Sequence, residues 1–126
     1  QFRKGIINFH PGLIPEARGL DALLWSVERN IPLGVTAHLI DERVDAGRIL
    51  HKHKIEIRPD DTVFDLSERL YDAQLMMLDE SIHNAKAGKT ETIDYSTTQY
   101  NRKMPCDLEK AVLEKIPQYV AANCKN

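Results

Sequence analysis

The run Gly5-Ile6-Ile7-Asn8-Phe9, closed by His10-Pro11-Gly12, limits what this chain can fold into more than any other stretch. Its β-favouring residues are short and uninterrupted, the pattern of a strand buried on both faces of a parallel sheet. Pro11 and Pro15 lack an amide hydrogen and Gly12 favours a turn, so the chain leaves the strand as a non-helical loop. Asn8 and His10 therefore stand at the strand's carboxyl end. In open α/β sheets that end borders the crevice where ligands bind, which joins a constraint on folding to one on function.

Further along, apolar spacing alternates between the helical and strand periods. Leu20, Leu23, Leu24 and Val27 predict a helix over 20–29, ended by Asn30 and Pro32. Residues 34–40 and 48–57 alternate at period two and predict two strands joined by an acidic turn, Asp41-Glu42-Arg43-Val44-Asp45-Ala46-Gly47. Thr62 and Asp65 form a capping pair, and Val63, Leu66, Leu70, Ala73 and Met77 make one stripe of a long helix ending near Gly88. Polar residues 89–103 read as an irregular or extended connection, followed by a short helix from Asp107 to Ile116 that stops before Pro117. The fold class is α/β, with the main domain over 1–88 and a carboxyl-terminal extension over 89–126.

Composition narrows the partners. The 126 residues suit one domain, and 17 basic against 19 acidic side chains give a net charge of −2, so nothing draws the whole molecule to nucleic acid or an anionic membrane. Cys106 and Cys124 have no paired ligand spacing and read as reduced, cytoplasmic thiols. No apolar stretch approaches the roughly 20 residues that span a bilayer. A chain that opens at Gln1 and enters a strand almost at once reads as part of something longer.

An amide donor at Asn8, an imidazole at His10 and a carboxylate at Asp45 can together run an acyl transfer. The amide holds an oxyanion while the imidazole, oriented by the acid, moves a proton. Only a hairpin-like return of the acidic turn brings Asp45 to the first strand. His38 reads equally as a lining residue or a structural histidine. His51 and His53 share a strand face, but no third ligand is in register and no metal is expected. Arg18 offers a charge for an acceptor's phosphate or carboxylate, and Tyr95 and Tyr100 offer rings for a base, beside their ordinary roles as surface and loop residues.

Four blocks in order, Ile7-Asn8-Phe9-His10-Pro11-Gly12-Leu13-Ile14-Pro15, Arg18-Gly19, Gly34-Val35-Thr36-Ala37-His38 and Val44-Asp45-Ala46-Gly47-Arg48-Ile49, make the chain resemble the folate-dependent formyltransferases. The resemblance implies the carboxyl-terminal half of a Rossmann-like catalytic domain, a mixed sheet with an antiparallel hairpin and a long packing helix. It implies Asn8, His10 and Asp45 as catalytic residues and N10-formyltetrahydrofolate as the formyl donor. It also implies Asp41, Glu42 and Val44 in the folate pocket, and Pro11, Gly12 and Arg18 on the side of a small-molecule acceptor amine. The interval of 35 residues from His10 to Asp45 is similar to that of the nucleotide-sugar branch. Glycinamide ribonucleotide or water as acceptor, and a non-catalytic binding remnant, are the alternatives. An amino-terminal half or a second copy of the chain is the expected partner.

Overall fold

The structure is a computed structural model that describes residues 6–40, 46–94 and 99–124. Strands β1 (Ile6–His10), β2 (Gly34–Ile40), β3 (Ala46–Lys54) and β4 (Glu91–Asp94) lie in that order in one sheet. All three pairings are antiparallel. The expected hairpin is the β2–β3 pair. The opening strand differs from the parallel, doubly buried strand expected for it: its only partner among the described strands is β2, and its burial alternates. Ile6 is 68% exposed, whereas Ile7 and Phe9 pack against the core. Period two, with one face covered, governs the strand, and runs of apolar residues too short to alternate visibly hide it.

Helices α1 (Ala22–Glu28), α2 (Val63–Met76), α3 (Leu78–Ala87) and α4 (Cys106–Asn123) complete the described elements. The first is shorter than its apolar spacing predicts, because Leu20 is spent elsewhere: its N–H donates to the Asn101 carbonyl at 2.8 Å. The capping box at Thr62 and Asp65 forms as expected, and Gly88 ends α3 at φ 69°, a left-handed turn natural to glycine. The single long helix expected over this stretch is interrupted at Met77, yet helical hydrogen bonds run through it: Met77 N–H donates to Ala73 and Ser81 N–H to Met77.

The last helix overruns its expected stop by more than a turn. Pro117 sits inside it. Proline in a helix interior forfeits a hydrogen bond and costs about 3 kcal/mol, but Ile116, Tyr119 and Val120 are buried on either side of it, and burying them outweighs that loss. Tyr119 also donates its hydroxyl to the Ile31 carbonyl at 2.5 Å, and burial pushes its phenol up to about 12. Val112 and Ile116 of α4 join Leu66 and Leu70 of α2 and Val35 and Ala37 of β2 in one core. That core covers one face of the sheet and leaves part of the other to polar chemistry.

Candidate active site

Antiparallel register sets Asn8 opposite His38 and His10 opposite Thr36. Directly opposed residues project to the same face, so these four polar side chains share the face turned away from Val35 and Ala37. Ile6 opposite Ile40 continues that face with an apolar pair, 68% and 47% exposed. The result is a polar patch bordered by exposed hydrocarbon.

Each polar group has a defined partner. Asn8 Nδ2 lies 2.9 Å from His38 Nε2. An amide nitrogen only donates, so His38 Nε2 accepts and its proton resides on Nδ1. Burial of His38 and the nearby His10 both lower its pKa from 6.5, which favours the neutral ring that this bond requires. The bond occupies one Asn8 N–H and fixes the amide plane, leaving the second N–H for another acceptor.

His10 Nε2 lies 2.7 Å from the Ala17 carbonyl. A carbonyl only accepts, so Nε2 carries the proton and Nδ1 is the basic atom of the neutral ring. The loop can fold back this far because residue 12 is glycine: a Cβ there would stand 2.7 Å from Ala22 Cβ, 2.9 Å from the Ala17 oxygen and 3.1 Å from His10 Nε2. Thr36, fully buried, pins the same loop to the sheet, donating to the Gly12 carbonyl at 2.8 Å and accepting from Ile14 N–H at 3.0 Å. The Ile14–Pro15 peptide is cis.

Of the residues singled out in the sequence, Asn8, His10 and Gly12 come together here, and Pro11 is exposed beside them. Arg18 follows Ala17 into a separate clasp. Its carbonyl accepts from Asn101 N–H at 3.1 Å and Asn101 Nδ2 at 3.0 Å, while its guanidinium lies 5.7 Å from the centre of the Tyr100 ring. Gly19 permits the clasp, with φ 104° and an Asn101 oxygen 2.4 Å from where a Cβ would be. Asp41, Glu42, Val44, Asp45 and Tyr95 lie outside the described residues. His51 and His53 stand opposite Ala37 and Val35, on the other face from His38. Among the described residues no group of three His, Cys, Asp or Glu is placed to hold a metal.

Thr36 is the residue that sequence reasoning missed. Its signal is its parity: it falls between Val35 and Ala37, hence on the face of His38, and a buried β-branched hydroxyl needs a partner.

A profile of the formyl transferase family matches residues 1–82, and the chain belongs to that family. Among curated proteins it is 33% identical over 81 residues to the GDP-perosamine N-formyltransferases of Brucella melitensis and Brucella abortus, covering 64% of this chain and 31% of theirs. The chain thus spans about a third of the length of these relatives. Among solved structures, the formyltransferase PseJ of Anoxybacillus kamchatkensis, in complex with UDP-4,6-dideoxy-4-formamido-L-AltNAc and tetrahydrofolate, is 30% identical with a TM-score of 0.65 over 82% of this chain and 55% of its own. A 4-N formyltransferase from Francisella tularensis is 25% identical with a TM-score of 0.62, covering 85% of this chain and 50% of its own.

Proposed function

We propose that this chain carries the reacting centre of an enzyme that transfers a formyl group from N10-formyltetrahydrofolate to the amine of a nucleotide-linked amino sugar. The observation that carries the reading is the placement of Asn8 and His10 two residues apart on one exposed strand face, each held by a hydrogen bond that leaves its reactive atom open. The activity of the Brucella relatives and the ligands of the PseJ complex support the donor and the class of acceptor. The exposed Ile6 and Ile40 beside the polar patch suit the flat apolar aminobenzoyl ring of such a donor.

N10-formyltetrahydrofolate supplies an electrophilic formyl carbon. As an amine adds to such a carbon, negative charge gathers on the formyl oxygen and positive charge on the nitrogen. The free N–H of Asn8 answers the first, an interaction that strengthens as charge develops. Nδ1 of His10 answers the second by taking the amine's proton, and returns it to N10 as the bond between the formyl carbon and N10 breaks and tetrahydrofolate leaves. Asp45 steadies the imidazolium through a direct or water-bridged hydrogen bond, Asp41, Glu42 and Val44 line the donor's pocket, and Pro11, Gly12 and Arg18 face the acceptor. No covalent intermediate on the protein is needed, and the reaction belongs to the cytoplasm.

Formyl transfer and formate release, measured with and without a nucleotide-linked 4-amino sugar, test this reading. It predicts a formamide product that requires the sugar amine. Formate release that ignores the amine points to a hydrolase, and transfer to glycinamide ribonucleotide instead moves the acceptor class.

A further inference from the structure

The helical pair α2–α3 carries a second apolar stripe, opposite the one that serves the core. Leu66, Leu70, Ala73 and Met77 are buried. Phe64, Tyr71, Leu75 and Leu78, at intervals of 7, 4 and 3 residues, lie on the far side of the same helical turns and are 81%, 61%, 60% and 44% exposed. Because helical hydrogen bonds run through Met77, the stripe is continuous across the break. At its amino-terminal end Phe64 forms the rim of a cleft of about 770 Å³ whose other wall is Leu113, Ile116, Pro117 and Val120 of α4. A continuous exposed apolar surface of this kind marks an interaction site.

Charge along the stripe selects the occupant. Glu68 lies three residues before Tyr71, Asp72 three before Leu75, and Asp79 four after Leu75, so three exposed carboxylates run along one border. Arg69, which lines a groove with Glu68 and Asp72, has its guanidinium committed to Asp61 at 2.6 and 3.0 Å. Asp60 adds a further exposed carboxylate at the cleft. Antiparallel self-pairing across a two-fold axis would set this acidic border against its own copy, which disfavours a second chain as the occupant.

We infer that the α2–α3 stripe and the adjoining cleft form a docking surface for an amphipathic helix of another protein, one whose apolar anchors are flanked by Lys or Arg. Leu75 and Tyr71 take the anchors, Phe64 leads them into the cleft, and the carboxylate border fixes orientation and partner charge. This surface is on the core side of the sheet, away from Asn8 and His10, so its use is independent of formyl transfer.

A fluorescein-labelled amphipathic Leu–Lys peptide of about four turns, titrated into the full chain by fluorescence polarisation, tests the inference against a Leu–Glu peptide of identical apolar pattern. The Lys peptide is expected to bind at least about tenfold more tightly than the Glu peptide, and Tyr71→Ser with Leu75→Ser to weaken it by about tenfold or more. Glu68→Lys with Asp72→Lys should remove the preference for the Lys peptide while leaving the apolar anchors in place. These positions are exposed, and unchanged thermal melting confirms that each variant folds. Equal affinity for both peptides, or affinity untouched by either pair of substitutions, overturns the inference. So does sedimentation showing a dimer that Tyr71→Ser and Leu75→Ser abolish, which would give the stripe to a second copy.

Discussion

At the residue scale, the proposed chemistry depends on which atoms stay open. Asn8→Ala removes the oxyanion donor and is expected to lower kcat by about 10²- to 10³-fold, with Asn8→Asp no better because a carboxylate cannot donate. Steady-state formyl transfer by each variant measures this. His38 makes a prediction about pH. Its folded pKa lies below 6.5, so the native state binds fewer protons than the unfolded chain as pH falls past that value. Stability is therefore full above about pH 6.5 and declines below it. Thermal melting of His38→Gln, which keeps an acceptor for Asn8 without titrating, should be flatter than the native curve between about pH 7 and 5. Equal slopes contradict the neutral His38. Asn8 and His10 were legible in the sequence because a polar pair at the end of an apolar strand is conspicuous. Thr36 was not: only the pairing of β1 with β2 shows that the Gly12 and Ile14 backbone comes to its hydroxyl.

Local signals set the elements where one physical term dominates, and misplace them where two compete. Gly34–Ile40 and the Thr62 helix start stand where period and capping put them. Pro117 reads as a stop because the lost hydrogen bond is visible in sequence, while the burial of Ile116, Tyr119 and Val120 that outweighs it is not. It follows that Pro117→Ala should stabilise the chain by about 1 to 3 kcal/mol, measured by denaturant unfolding; a neutral or destabilising result contradicts that balance. Just before α2, Asp61 accepts both arms of Arg69 and the Arg58 N–H at 2.8 Å, with its side chain 6% exposed. The Arg69 hydrogen bonds foremost hold its carboxyl below 3.8, so this stabilisation is present above that pH and lost as pH falls through the depressed value. Asp61→Asn, which leaves Arg69 without its charge partner, should cost about 2 kcal/mol at neutral pH and little in acid.

Across the whole molecule, sheet and helices share one core, so the described parts should unfold together. Leu66→Ala, at a position of zero exposure that sits in one cluster with Val35 and Val112, is expected to cost about 2 to 5 kcal/mol and to lower a single transition seen equally by tryptophan fluorescence and circular dichroism. The α/β class and the hairpin were legible because patterning reaches over ten residues or so. The antiparallel pairing of β1 was not, since Ile6 and Ile7 look alike in sequence and differ only in which face the core covers. That same choice of face sets out the candidate site: the core on one side of the sheet, Asn8, His10 and His38 on the other. The most direct test is the rate of formyl transfer from N10-formyltetrahydrofolate to a nucleotide-linked amino sugar by the native chain and by His10→Ala. A fall in kcat of at least about 10²-fold, with the acceptor KM changed by no more than a few-fold, is the predicted result. Equal rates in the two proteins would contradict the assignment of this strand face as the reacting centre.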